Sequence, residues 1–343
     1  MEQRSRQTSK SQLCFKAPRH SVSFVKRRFY KIGVDGGGTK TECILIDARG
    51  AVAARHTAAA CNPSLVGSEM ARKILADALQ TLWAQIRHSG AEISATLLCM
   101  AGSLPFWREA AAGIKDYGTV TAAPDSLPVL ELATGGAPGL VLHAGTGSFV
   151  AARAPDGSIH YAGGLGWRFG DPGSGHDLGR RAIARALLEL QGWTAAAGDW
   201  KPDSGRRSPL AQALCEFTAL DGYAAISRLF YSAAEANVKI AAFAPRVVEL
   251  AERGCKPAQE IIAESLAEYA VLVNRVLASL FPAAGGRDPQ SSVPCGVSGT
   301  LLNRPPCLRT LQALAATQAW PVRLQPIADL PIEGVRRLLL KRD

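Results

Sequence analysis

From residue 30 onward the apolar positions first come in short runs broken by turn residues. Residues 32–34 and 43–47 read as strands joined by a glycine-rich turn, and 51–57 as a third strand after the Ala-Arg-Gly turn at 48–50. The period then lengthens to that of a helix over 68–87. Ile74, Leu75, Leu79, Leu82, Trp83 and Ile86 share one face there, with Ser68 as N-cap and Gly90 as stop. Continuous apolar runs at 95–100 and 118–123 predict two further strands. The second ends at Pro124-Asp125, and a helix follows around 127–133.

Gly135-Gly136-Ala137-Pro138-Gly139 breaks the chain, and a domain boundary is expected there, giving 29–136 and 137–343. Beyond it the opening pattern recurs. Residues 140–144 read as a strand, Gly145-Thr146-Gly147-Ser148 as a glycine and hydroxyl turn, and 149–153 and 158–162 as strands around a Pro-Asp-Gly turn. Two such hairpins, about 110 residues apart, imply a duplicated α/β unit with a cleft between the copies. Helices are expected near 174–191, 207–219, 221–233, 236–253 and 257–280. A strand at 293–297 and a closing helix at 332–340, possible packing for the first domain, complete the pattern.

Composition adds little until charge is located. The 343 residues are 47% hydrophobic and 20% charged, as in ordinary globular proteins, and no run of 18 apolar residues occurs. The net charge of +10 would suggest nucleic acid, but residues 1–28 carry eight Lys and Arg against Glu2 alone. Removing that +7 leaves +3 for the rest, so a nucleic-acid partner is not expected. The basic, serine-rich tail lacks the apolar core of a secretory signal. It reads as a disordered extension or as sequence upstream of the true start, with an organelle transit peptide as a third reading. The eight scattered cysteines, with no Cys-x-x-Cys, fit a reduced, cytoplasmic protein.

The chemistry concentrates at Asp35-Gly36-Gly37-Gly38-Thr39-Lys40. Glycine amides in a turn can hold phosphate oxygens, and a carboxylate at the strand end can hold a hydrated Mg²⁺ beside them. A plain glycine hairpin explains the same residues equally well. The segment is no P-loop, and its glycines lie between two strands rather than between strand and helix, as a dinucleotide fingerprint requires. Gly145, Thr146, Gly147 and Ser148 form a second candidate cradle, which a plain hairpin turn explains as well when taken alone; two such hairpins facing each other could clamp a polyphosphate. Asp125, at a strand end, suits a base that accepts a hydroxyl proton in phosphoryl transfer; capping the next helix is its alternative role. Residues 163–179 hold seven glycines in seventeen residues, which points to a site loop with Asp171 as its hydroxyl-binding group. Ser174, His176 and Asp177 lie too close on one helix start for a triad, and His176 and Asp177 are expected to face solvent. Asn62 could bind a sugar hydroxyl or stabilise its turn. Small residues Gly296, Ser298 and Gly299 would admit a flat base, where a helix could open.

Taken in order, these segments resemble the BadF/BadG/BcrA/BcrD ATPase family, most closely its N-acetylglucosamine kinase branch in the actin/hexokinase superfamily. Asp35 to Thr39 is similar to the family's first phosphate motif and Ala144 to Ser148 to its second, while 296–299 falls where its adenosine motif belongs. The resemblance implies two actin-like (ribonuclease H-like) domains around a nucleotide cleft, ATP and Mg²⁺, and a kinase acting on the 6-hydroxyl of N-acetylglucosamine or glucosamine. It also implies sugar contacts from Asn62, Asp125, Thr146 and Asp171, Asp125 as catalytic base, and a homodimer. Leu165 and Pro172 depart from the Trp and Glu that the family commonly carries, which touches the sugar pocket. Iron–sulfur activators in the same family need cysteines at a dimer interface, a setting that Cys215 and Cys255 do not provide. A sugar sensor without catalysis is a third reading, against which the retained Asp125 speaks.

Overall fold

The computed structural model describes residues 28–86, 90–193, 207–232, 235–282 and 292–341. Nearly all of the basic tail therefore lies outside the described residues. The described strands form two five-stranded sheets. The first comprises β1 (Arg28–Gly36), β2 (Lys40–Asp47), β3 (Val52–Ala59), β4 (Ala91–Met100) and β5 (Thr119–Pro124), in the order β3-β2-β1-β4-β5. The second comprises β6 (Gly139–Ala144), β7 (Ser148–Arg153), β8 (Ile159–Gly163), β9 (Val293–Ser298) and β10 (Val322–Pro326), in the order β8-β7-β6-β9-β10. In each, a central strand pairs antiparallel with its hairpin partner and parallel with the strand that returns through a helix. The repeated hairpin in the sequence thus marks a repeated sheet topology.

The helices are α1 (Pro63–Val66), α2 (Ser68–Ala84), α3 (Leu104–Gly113), α4 (Ser126–Thr134), α5 (Gly175–Leu190), α6 (Pro209–Thr218), α7 (Tyr223–Ser232), α8 (Ala236–Ala242), α9 (Ala244–Glu252), α10 (Lys256–Leu280), α11 (Pro305–Thr317) and α12 (Pro331–Leu340). One face of the first sheet packs Ile32, Val34 and Leu98 on Leu75, Leu79 and Leu82 of α2 and Trp107 of α3. Its other face packs Ile44, Ile46, Leu97 and Cys99 on Ile332, Val335 and Leu339 of α12. Helix α4 buries Val129 and Leu130 against Val141, Phe149 and Ala151 of the second sheet. It also meets α12 so closely that a Cβ on Gly334 would sit 2.1 Å from the Pro128 carbonyl oxygen. The α4–α12 pair thereby joins the two sheets. The second sheet's other face carries a larger core built from α5, α6, α9, α10 and α11.

Several expectations are corrected. Ser68 is the first residue of α2, and Gly67 at φ +83° takes the N-cap position without a side-chain bond. The single helix expected over 236–253 breaks at Phe243, because Pro245 in the first turn of α9 has no amide to continue the ladder. Helix α3 was not anticipated: its buried face is Trp107 with Ala110 and Ala111, too small a signal for periodicity. Strand β10 was also missed, since mostly half-buried or exposed edge residues show no apolar alternation. The turn at 296–299 opens no helix at once; α11 starts at Pro305, with prolines in its first turn.

Candidate active site

Asp35 stands near the end of β1, opposite Glu42 of β2. It is half-buried, and its carboxyl is raised to about 7 by burial first, then by Asp125 and Glu42, with Lys40 opposing. The turn that follows is closed by the Gly37 amide donating to the Lys40 carbonyl at 3.0 Å. Gly36, Gly37 and Gly38 are absent from the residues with positive φ, so torsional freedom is not why glycine stands there. At Gly36 a Cβ would strike Met100 and Cys61 sulfur atoms at 2.8 and 2.9 Å. Around Gly37 and Gly38 it would meet nothing closer than 3.5 and 3.4 Å. The bare backbone there is open, as a cradle for an anion requires. Thr39 is exposed, and the exposed Lys40 ammonium pairs with the half-buried Glu42 at 3.0 Å.

Asp125 occupies the N-cap position of α4, at φ −62° and ψ −19°, yet its side chain makes no capping bond. Burial raises its carboxyl, partly offset by the amides of Ser126 and of Asp125 itself. Among the described residues this half-buried carboxylate neither caps its helix nor pairs with a cation. Its charge is felt by Asp35 on one side and by the Tyr161 phenol of β8 on the other.

The second turn is tied to α5. Gly145 donates to the Gly147 carbonyl at 2.9 Å, and the Gly145 and Thr146 carbonyls accept from Gly175 and His176 at 2.8 and 3.3 Å. Thr146 is exposed. The Ser148 hydroxyl points inward and donates to the Pro172 carbonyl at 2.7 Å, so it holds the glycine loop rather than standing free. Asp171 is 5% exposed; its Oδ1 accepts from the Gly166 amide at 3.1 Å, and a Cβ on Gly147 would lie 3.1 Å from its Oδ2. Asp171 and the second turn are thus in contact. Burial raises the Asp171 carboxyl, with the Gly166 and Leu165 amides opposing.

Asn62 caps α1, its Oδ1 accepting from Ser64 at 3.0 Å, which leaves the Nδ2 group for a ligand. Gly102 at φ +92° runs directly against that Oδ1. Gly296 is a packing glycine, with a Cβ position 2.6 Å from both Ala133 and Ile327, and it is not brought to the open site. Ser298 is buried with its Oγ 3.3 Å from His143 Nδ1. Gly299 at φ +95° presses on Ala144, just before the second turn.

His176 and Asp177 do not face solvent; they are 7% and 6% exposed. Burial acts to raise the Asp177 carboxyl, but bonds from Ser265 at 2.6 Å and from Arg180 and Arg181 outweigh it and hold it low. Ser174 caps α5 by accepting from Asp177 N at 3.1 Å, so this trio forms no triad. Ser265 also accepts from the Gly173 amide at 2.9 Å, which anchors the glycine loop to α10. Sequence reasoning missed Ser265, His143, Tyr161 and Tyr269. Only Tyr161 had a signal, as an aromatic two residues before Gly163-Gly164.

Among the described residues no group of three or more His, Cys, Asp or Glu is arranged to hold a metal ion. The desolvated Asp35 carboxylate beside an open turn suits Mg²⁺ delivered with a polyphosphate, which typically uses one or two protein carboxylates.

Comparison with known proteins fits this geometry. An N-acetyl-D-glucosamine kinase of Dictyostelium discoideum is 24% identical over 305 residues, covering 84% of this chain and 91% of that one. An N-acetylmuramic acid/N-acetylglucosamine kinase of Clostridium acetobutylicum is 23% identical over 253 residues, covering 72% and 79%. A solved structure from Chromobacterium violaceum, provisionally named N-acetylglucosamine kinase, superposes with TM-score 0.70 at 26% identity, over 92% of this chain and 99% of that one. A glucokinase of the ROK family from Streptomyces griseus shares the fold at TM-score 0.55 and 15% identity, over 90% of this chain and 97% of that one. The sequence profile of the BadF/BadG/BcrA/BcrD ATPase family matches residues 32–311, and the chain belongs to that family.

Proposed function

We propose that the protein is an ATP-dependent amino-sugar kinase, transferring the γ-phosphoryl group of ATP to the 6-hydroxyl of N-acetylglucosamine or glucosamine. The observation that carries the reading is Asp125, a desolvated carboxylate at a helix start that makes no capping bond and whose charge reaches both Asp35 and Tyr161. In this reading Asp125 orients the acceptor hydroxyl and takes its proton. Gly36, Gly37, Gly38, Thr39 and Lys40 hold phosphate from the first sheet, and Gly145, Thr146, Gly147 and the Ser148 backbone from the second. Ser298 and Gly299 border the adenosine, with Gly296 acting behind them through packing. Asn62, Asp125, Thr146 and Asp171 bind the sugar. Asp35 would hold Mg²⁺, which offsets phosphate charge in the transition state.

Closure of domains 29–136 and 137–343 brings donor and acceptor into line and excludes water. A homodimer and a cytoplasmic location belong to the same proposal. None of the seven described cysteines is in a disulfide, which suits a reducing compartment. No described helix is long and apolar enough to cross a membrane.

The test is ADP release from Mg²⁺-ATP in the presence of a panel containing N-acetylglucosamine, glucosamine, N-acetylmannosamine, N-acetylmuramic acid and glucose. Phosphorus NMR of the product gives the position phosphorylated. Sugar-dependent turnover giving a 6-phosphate of a 2-amino sugar is expected. ATP hydrolysis indifferent to every sugar would overturn the reading and return the ATPase-activator or sensor alternatives.

A further inference from the structure

Tyr161 of β8 has no part in the chemistry above, yet 48% of it is exposed and its position is over-determined. Its ring stacks on Phe149, with centroids 5.0 Å apart and planes at 27°. Phe149 stacks in turn on His143 at 4.7 Å and 18°. His143 is held at the Ser298 turn, with Nδ1 3.3 Å from Oγ. Tyr269, fully buried, accepts from the His143 amide at 3.0 Å and donates to the Phe149 carbonyl at 2.6 Å, which ties down the backbone that carries both inner rings. The outer ring is fixed at its tip as well. Gly164, at φ +64°, passes so close that a Cβ there would lie 2.3 Å from the phenolic oxygen. Phe149 covers one face of Tyr161 and Gly164 lies along its outer edge, about half of the side chain stays exposed, and the charges of Asp125 and Asp171 reach its phenol. Leu165, where the family commonly has Trp, is 64% exposed and supplies no such ring.

An immobilised, part-exposed aromatic ring within electrostatic reach of two carboxylates is chemistry that can recognise a pyranose. The face of the ring carries negative quadrupole charge and attracts the weakly positive axial C–H bonds of a sugar, while carboxylates accept from its hydroxyls. Because the stack is ordered before binding, little entropy is lost on contact. Resting on the kinase reading, we propose that Tyr161 is the platform for the acceptor sugar: its free face packs on the C–H face of a gluco-configured pyranose whose hydroxyl is presented to Asp125.

The experiment compares wild type with Tyr161→Phe, Tyr161→Leu and Tyr161→Ala by calorimetric titration with N-acetylglucosamine and, separately, with a non-hydrolysable ATP analogue, alongside steady-state kinetics. Loss of the ring in the Ala and Leu variants is expected to raise the sugar Kd and KM about fivefold to tenfold, with Tyr161→Phe within threefold. Nucleotide affinity should stay within twofold in all. The Leu variant keeps an apolar cover on Phe149, so it separates loss of the platform from loss of the stack. Unchanged sugar affinity in the Leu and Ala variants would overturn the proposal. So would a parallel fall in nucleotide affinity, which marks a structural role, or a Phe variant as impaired as Ala, which moves the contact to the hydroxyl. A wild type that binds and phosphorylates no pyranose would sink the kinase reading and the platform together; one that does so while the variants match it sinks the platform alone.

Discussion

Replacing Asp125 separates its two readings, as catalytic base and as helix cap. A capping aspartate exchanged for alanine costs about 1 kcal/mol of stability, whereas asparagine caps as well as aspartate. Here no capping bond exists to be lost. The carboxyl is also raised above its ordinary range by burial. A carboxyl whose folded pKa is raised stabilises the fold below the unfolded pKa, and loses that contribution as pH rises through the folded one. At pH 8 the ionised group is therefore a burden on the fold. Asp125→Ala and Asp125→Asn should leave the melting temperature unchanged or slightly higher. Turnover should fall about 10²- to 10⁴-fold, or roughly 3–5 kcal/mol on the barrier, the usual worth of general-base catalysis. Removing this neighbour should also let the Asp35 carboxyl titrate below its present value of about 7. The measurements are ADP release with saturating sugar, thermal melts at pH 8, and carbon NMR titration of Asp35. An alanine variant that loses more than 1 kcal/mol yet keeps turnover within tenfold would refute the base role and restore the cap.

Other consequences are equally direct. Gly299→Ala forces a side chain into left-handed backbone and 2.1 Å from the Ala144 oxygen; a loss of at least about 2 kcal/mol is expected in denaturant melts, and an unchanged midpoint would contradict the packing. Ser265→Ala strips a partner from both the Gly173 amide and the Asp177 carboxylate, so destabilisation of about 2–4 kcal/mol and faster amide exchange across 163–173 are expected. Exchange unaltered in that loop would mean the tether is idle. In the ligand-free protein, the raised Asp35 carboxyl makes stability decline as pH climbs from 6 to 8, and Asp35→Asn should flatten that slope in thermal melts. Equal slopes in both proteins would show that Asp35 is not desolvated as described.

The sheets were legible because their signals are local. Residues 32–34 and 43–47, like 140–144 and 149–153, are apolar runs divided by glycine turns, and both pairs are hairpins in the structure. Asp35 and Asp125 could be picked out because a carboxylate where a strand gives way to a turn or helix is visible in the chain alone. Helix α3 and strand β10 were not legible, since alanines on one and edge positions on the other carry little hydrophobic contrast.

What sequence alone determined is the duplicated strand–turn–strand frame and the identity of the groups at strand ends, because period and turn chemistry act within a few residues. Which polar side chains stay unclaimed at the candidate site was decided by tertiary contacts. Ser148 and Asp177 look available in the sequence, yet Pro172 in one case and Ser265 with two arginines in the other claim them. Tyr161 looks like an ordinary strand residue until Phe149, from the neighbouring strand, covers one face and Gly164 fixes its tip. Such partners are set by packing across elements, so hydrogen bonds and stacking between distant segments, rather than local pattern, chose the open face of the site.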